Sequence, residues 1–275
     1  MTVQRQMLSF PNAKINLGLR ITGKLPNGYH SIESCLYPIP WHDSLEFIPT
    51  NRSSFESSGL EINGKAEQNL VFRAYKLLKK EYPLPEIGIH LHKSIPMGAG
   101  LGGGSADAAF MLNMLNEQFQ LFLDDSLLED YAAELGSDCP FFIKNQPALA
   151  TGTGTDLQTI PLDLSGLHLT VLNPGIHIST QEAYAGVTPN ASEHDLETLL
   201  FSKDFGRWKS ELINDFETSV FPRYPILAGI KSGFYELGAA YAAMSGSGST
   251  LFALSEKPLQ MADDWLQFTY RQFVL

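Results

Sequence analysis

The chain has 275 residues, 44% hydrophobic and 18% charged, the balance of a folded globular protein rather than a disordered one. A formal net charge of −11 excludes nucleic acid as the main partner, because a phosphate backbone demands a basic surface. Two cysteines are too few for a disulfide framework and no apolar run approaches a membrane span. With Met1–Pro11 lacking the basic start and apolar core of a signal peptide, the expected location is the cytoplasm, with no membrane partner.

Ile15, Leu17 and Leu19 alternate with Lys14, Asn16, Gly18 and Arg20, which predicts a half-buried strand with Lys14 and Asn16 on its polar face. Pro26–Asn27–Gly28 is a turn signal, so Tyr29 and His30 should stand where the next strand begins. Asn69 opens a helix whose apolar face is Val71, Ala74, Tyr75 and Leu78, and Pro83 stops it. Ile87, Ile89 and Leu91 alternate with Gly88, His90 and His92 as a further strand. A glycine-rich run, Pro96–Met97–Gly98–Ala99–Gly100–Leu101–Gly102–Gly103–Gly104–Ser105–Ala106, then leads into a helix expected to begin near Ser105. Ser126-x-x-Glu129 reads as a capping box for a helix that Gly136 ends. Thr151–Thr155 reads as a polar joint and sets the expected domains at 1–157 and 158–275. Beyond it come a strand at 167–172, helices at 192–201 and 225–237, and strands at 239–244 and 250–254. A helix near 258–268 and a terminal strand at 269–275 complete an α+β pattern in two lobes.

The glycine-rich run carries the chemistry. Glycines accept positive φ and have no Cβ, so their N–H groups can close around a ligand, and the helix start adds unpaired donors and partial positive charge. Together they form an anion site suited to a phosphate chain. It is not a Walker loop, since no lysine precedes Ser105. Gly98-x-Gly100-x-x-Gly103 satisfies the dinucleotide fingerprint formally, but the strand before it lacks the continuous apolar run of a central parallel strand. The absence of His-Arg-Asp and Asp-Phe-Gly triplets excludes a protein kinase. His42, His90, His92, His168, His177 and His194 show no metal-ligand spacing and read as structural or surface residues.

Several short segments fall in a telling order: Ala13–Lys14–Ile15–Asn16–Leu17, Gly28–Tyr29–His30, the glycine loop and Gly136–Ser137–Asp138–Cys139–Pro140. Asn173–Pro174–Gly175, Ser179–Thr180, Tyr184 and Met244–Ser245–Gly246–Ser247–Gly248–Ser249–Thr250 follow. In this order they resemble the GHMP superfamily of small-molecule kinases, which includes galactokinase, homoserine kinase and mevalonate kinase. The resemblance runs from Pro11 to about Leu254. It implies an N-terminal lobe of the ribosomal S5 domain 2-like type, a ferredoxin-like C-terminal lobe, ATP and Mg²⁺ as cofactors, and a substrate in the cleft between the lobes. Ala13–Leu17, Gly28–Tyr29–His30 and Gly136–Phe141 resemble most the branch of that superfamily whose acceptor would be a cytidine-diphosphate-linked methylerythritol, phosphorylated on its 2-hydroxyl. A sibling kinase acting on another small alcohol and a catalytically silent nucleotide sensor stay open as alternatives.

The resemblance also implies roles. Asp138 would accept the proton of the substrate hydroxyl, and Lys14 would keep it ionised and stabilise charge on the transferring phosphoryl group. Pro96, Gly98, Gly100, Leu101, Gly102, Gly103, Gly104, Ser105 and Ala106 would hold the phosphates of ATP. Asn69 would face the adenine and Lys93 the nucleotide. Ser105 would reach Mg²⁺; Asp107 is a second metal candidate by nearness alone. Tyr29 and Tyr184 would sandwich a cytosine ring that His30 hydrogen-bonds, and Asn16 and Thr180 would hold the erythritol or its phosphates. The sequence does not fix the oligomeric state.

Overall fold

A computed structural model describes residues 7–26, 28–189 and 195–275; Asn27 of the predicted turn, His194 and the start of the helix expected at 192 lie outside them. In chain order the elements are β1 (Met7–Ser9), β2 (Asn12–Lys24), β3 (His30–His42), β4 (Ser44–Pro49), β5 (Ser54–Gly59), α1 (Leu70–Glu81) and β6 (Ile87–Lys93). Next come α2 (Gly103–Gln118), α3 (Asp125–Leu135), α4 (Phe141–Lys144), β7 (Ala148–Thr151), β8 (Asp156–Thr159) and β9 (His168–Asn173). The chain continues with α5 (Thr180–Tyr184), α6 (Leu196–Ser202), α7 (Phe205–Glu211), α8 (Phe216–Val220), α9 (Pro225–Glu236), β10 (Tyr241–Met244), β11 (Leu251–Ser255) and β12 (Thr269–Val274). No helix among the described residues is long and apolar enough to cross a membrane.

Two compact units divide the chain. One holds Met1–Ala13, Trp41–Met97 and Gly102–Asn145; the other holds Lys14–Pro40, Gly98–Leu101 and Gln146–Leu275.

In the first unit, β1, β4, β6 and β5 form a sheet in that order, with β4 antiparallel and β5 parallel to β6. The alternation expected of β6 is present: Ile87, Ile89 and Leu91 are buried between partly exposed neighbours. Asn69 caps α1, its Oδ1 accepting from Val71 N at 2.9 Å. The helix ends where Pro83 forces the preceding residue into extended backbone, Tyr82 standing at φ −122°, ψ 145°. α3 begins two residues earlier than the predicted capping box. Asp124, not Ser126, is its N-cap, accepting from Leu127 N at 2.9 Å, because the aspartate carboxylate reaches the free helix-start N–H groups first.

The second unit holds two sheets. The sheet β2-β3-β7-β8 contains the Lys14–Asn16 strand. That strand is not half-buried: Lys14, Asn16 and Arg20 are each at most 4% exposed, as are the apolar residues between them. The polar face is covered from far along the chain, with Ser245 Oγ meeting Asn16 N at 3.3 Å and Leu212 lying against Gly18. Thr151–Thr155, expected as a joint, is the turn of the β7–β8 hairpin. The other sheet runs β10-β11-β9-β12, all antiparallel. Numbered along the chain its strands lie in the order 2-3-1-4, the ferredoxin-like arrangement, with α9 against β10 and β11. The helix expected near 258–268 is replaced by extended chain and a single 3-10 turn, Asp263–Trp265. Pro258 and the paired acids Asp263–Asp264 favour that turn over a continuous helix, and Trp265 packs edge-on against Phe234 of α9 at 5.3 Å.

Candidate active site

In the first unit the glycine-rich run turns into a helix. Gly102 is the N-cap of α2 in the left-handed region, at φ 68°, and its carbonyl receives Ala106 N at 2.9 Å. The helix therefore starts at Gly103 rather than at Ser105, whose side chain sits in the first turn, half-buried. Its hydroxyl neighbours Cys139, whose thiol is pushed up to about 11 by burial, with the Asp138 charge acting in the same direction. Ser105, Asp138 and Cys139 are thus brought together, with Asp138 partly exposed at the loop that precedes α4.

A cavity of about 400 Å³ opens beside this helix start, lined by Asn69, Leu70, Gln68, Met97, Gly104 and Asp107 among others. Its lining is polar at Gln68 and Asn69 and apolar at Leu70 and Leu91.

Lys93 also borders that cavity, but its ammonium is engaged. It is bonded to Asp43 and, at 2.8 Å, to Asp107 Oδ2, with all three side chains at most 3% exposed. Burial works against the charged lysine, yet the two carboxylates outweigh it and hold its pKa above the usual value. Burial, resisted by Lys93 and aided by the Asp43 charge, raises the Asp107 carboxyl to about 7. Asp43 Oδ1 also accepts from Ser94 N (2.6 Å) and Ile95 N (2.9 Å), fixing the chain that leads into the glycine loop. The sequence reading missed Asp43, which occupies the one-residue gap between β3 and β4.

In the second unit Lys14 Nζ donates to Asn16 Oδ1 at 2.5 Å, and Asn16 Nδ2 donates to Ser34 Oγ at 2.8 Å. Gly98 and Gly100 take φ values of 61° and 79°. Three residues of this run are anchored by backbone: Lys14 N donates to Leu101 O at 2.9 Å, Ser245 Oγ to Gly100 O at 2.8 Å and Thr250 N to Ala99 O at 3.3 Å. The serine-glycine turn at 245–249 is therefore seated on the glycine loop. His177, read as structural or surface, lies 3.4 Å from where a Cβ on Gly98 would sit.

His30 stacks on Tyr184, with centroids 4.6 Å apart and planes 16° apart, and Tyr184 stands edge-on to Phe216. Tyr29 is 67% exposed. The ring lying flat on Tyr184 is thus His30 rather than Tyr29. Thr180 opens α5, exposed, one residue past the Ser179 cap. Among the described residues no group of three or more His, Cys, Asp or Glu converges on a metal site.

Residues 69–146 match the GHMP kinases N terminal domain and residues 196–271 the GHMP kinases C terminal domain. With the sheets and glycine loop described above, these matches define the class: a GHMP kinase. The 4-diphosphocytidyl-2-C-methyl-D-erythritol kinase of Bacteroides fragilis is 51% identical over 252 residues, covering 90% of this chain and 92% of its own. That of Cytophaga hutchinsonii is 52% identical over 250 residues, with the same coverage. A crystal structure of 4-(cytidine 5'-diphospho)-2C-methyl-D-erythritol kinase superposes with a TM-score of 0.80 at 31% identity, over 92% of this chain and 91% of that one. The homoserine kinase of Cytophaga hutchinsonii, at 15% identity and a TM-score of 0.71, shares the fold. The chain belongs to the 4-diphosphocytidyl-2-C-methyl-D-erythritol kinase family of GHMP kinases. Membership implies ATP as phosphoryl donor and a small molecule as acceptor.

Proposed function

We propose that this kinase transfers the γ-phosphoryl group of ATP to the 2-hydroxyl of 4-diphosphocytidyl-2-C-methyl-D-erythritol, a step of the non-mevalonate isoprenoid route. One observation carries the reading. A left-handed glycine backbone opens directly into α2 beside a cavity of about 400 Å³, in a chain half identical to kinases of that name over nine-tenths of its length. The working domain boundary at 157/158 separates the two family matches.

The residue roles follow from the family resemblance, and this chain's chemistry supports them. N–H groups of the Gly98–Ala106 segment hold the phosphates at the positive end of α2. Asn69 and Leu70 border the cavity for the base. Asp138 takes the proton from the acceptor hydroxyl as its oxygen bonds to the γ-phosphorus and the bond to the ADP oxygen breaks. Lys14 supplies a fixed cation for the charge on the transferring group. Tyr184 offers a flat face for the cytosine; for His30 to read the base edge, its ring must leave that face or carry the base on its own outer side. Asn16, Thr180 and Tyr29 complete the acceptor contacts.

Mg²⁺ is the expected companion of the triphosphate. The residues fit a sparse shell: Ser105, beside Cys139 in the first turn of α2, would offer its hydroxyl, Asp107 is committed to Lys93, and Mg²⁺ keeps waters and phosphate oxygens where protein ligands are few. Bound there, the ion would supply positive charge to offset that of the triphosphate.

The test is ADP release from ATP and Mg²⁺ with the cytidyl methylerythritol, set against homoserine, mevalonate and galactose. Turnover confined to the cytidyl acceptor is expected. Turnover with another alcohol would retain the kinase and discard the cytosine site, and nucleotide binding without any turnover would make the chain a sensor.

A further inference from the structure

Beneath the 245–249 turn lies a buried amide that the catalytic reading does not use. Asn214 is 1% exposed, in the segment between α7 and α8. Its Nδ2 donates to Met244 O at 2.7 Å and to Gly246 O at 2.8 Å, while its Oδ1 accepts from Phe216 N at 3.0 Å. Both amide protons thus hold the carbonyls that open the serine-glycine turn. The same segment is laid along β2: Leu19 N donates to Ile213 O at 2.9 Å and Asp215 N to Leu19 O at 2.8 Å. Its acids finish the attachment, Asp215 accepting from Ile21 N at 2.7 Å and Glu217 from Met244 N at 2.9 Å.

Only an amide meets this set of demands. Two donors and one acceptor are required on a short planar group, which excludes Asp, Ser and Leu. The turn it holds seats Ser245 Oγ on Gly100 O and contacts Asn16 N, and a Cβ added to Gly246 would stand 3.4 Å from Gly100 and from Asn16 Oδ1. We propose that Asn214 is a positioning residue for phosphoryl transfer: it fixes the 245–249 turn, and through it both the Gly98–Leu101 part of the phosphate loop and the Lys14–Asn16 strand. The kinetic form of this inference rests on the function proposed above; its structural form does not.

The test compares wild type with Asn214→Ala and Asn214→Asp. The aspartate keeps the acceptor for Phe216 N and replaces both donors by oxygen, so it serves if the alanine variant does not fold. Ser255→Ala is the control, because it removes one part-buried hydrogen bond (Ser255 Oγ to Lys257 O, 2.6 Å) at the far end of β11. Hydrogen exchange, affinity for a fluorescent ATP analogue, and kcat and KM are read on each, together with Ser245→Ala and the Asn214/Ser245 double variant. Expected are faster exchange at 244–250 and 98–101 and a fall of about 10²-fold in kcat/KM for ATP. The double variant should be no worse than the poorer single, and Ser255→Ala should match wild type. Unchanged exchange in those two segments, additive losses in the double variant, or an equal loss in Ser255→Ala would each overturn the assignment. If wild type ignores the cytidyl acceptor while exchange and nucleotide affinity respond as stated, the acceptor falls and Asn214 keeps its role.

Discussion

The carbonyl oxygen of Ser245 stands 1.9 Å from the point that a Cβ on Gly100 would occupy. No side chain fits there, and at φ 79° an L residue is strained before any clash is counted. Gly100→Ala therefore has to lift the 245–249 turn off the phosphate loop. A fall in kcat/KM for ATP of about 10²-fold or more is expected. Gly98→Ala meets only the His177 ring at 3.4 Å, so its loss should be smaller; side-by-side ATP titrations of the two variants check the order.

Removing the inferred base should act on chemistry rather than on binding. Asp138→Asn is expected to lower kcat about 10²- to 10⁴-fold, with ATP affinity held within a few-fold. Lys14→Met should lower kcat as well. Single-turnover rates beside equilibrium nucleotide binding separate the two effects, and a loss confined to ATP affinity would take the base role from Asp138.

The Lys93 cluster predicts a stability phenotype. Lys93→Met leaves Asp43 and Asp107 facing each other in the interior with no cation, which should cost about 3–5 kcal/mol of unfolding free energy. Denaturant melts of Lys93→Met against wild type check this. Full stability with ATP affinity lost would instead make Lys93 a nucleotide ligand.

Both thiols are buried and their ionisation is suppressed, Cys35 to about 12 and Cys139 to about 11. Native protein at pH 8 should resist a thiol reagent that modifies both residues after unfolding. The sign of the linkage follows. Below pH 9 the thiols are neutral in both states and leave stability unchanged; above it the unfolded chain ionises first. Stability should then fall by about 1.4 kcal/mol per pH unit per thiol until the native pKa is passed. Melts from pH 8.5 to 11 should be shallower in Cys35→Ala.

The parts of the fold legible in the sequence are those whose cause is local. α1 shows its apolar face, its Asn69 cap and its Pro83 stop within fifteen residues, and β6 shows its alternation within seven. The start of α2 was displaced because the serine looks like a cap, whereas the left-handed Gly102 turns the chain earlier. Burial of Lys14 and Asn16 could not be read, since the cover over Asn16 comes from Ser245, 229 positions away. Sequence separation likewise hid Asn214, whose partners Met244 and Gly246 lie 30 and 32 residues on, and Asp43, whose partner Lys93 lies 50 on. Tyr29, His30 and Tyr184 were legible as a set of rings, but which ring lies on which depends on side-chain packing that local spacing does not encode.

Four residues, Gly98–Leu101, belong to the second compact unit although the chain on either side of them belongs to the first. Their carbonyl partners come from Lys14, Ser245 and Thr250, so neither half of the chain cut near residue 157 would contain both the loop and all of its anchors. A gene fragment spanning the N-terminal half would carry every glycine of the motif and still lack the Ser245 and Thr250 supports. For engineering, this makes the nucleotide module non-transplantable as one contiguous stretch: a chimera must exchange the loop and the distant 245–250 turn together.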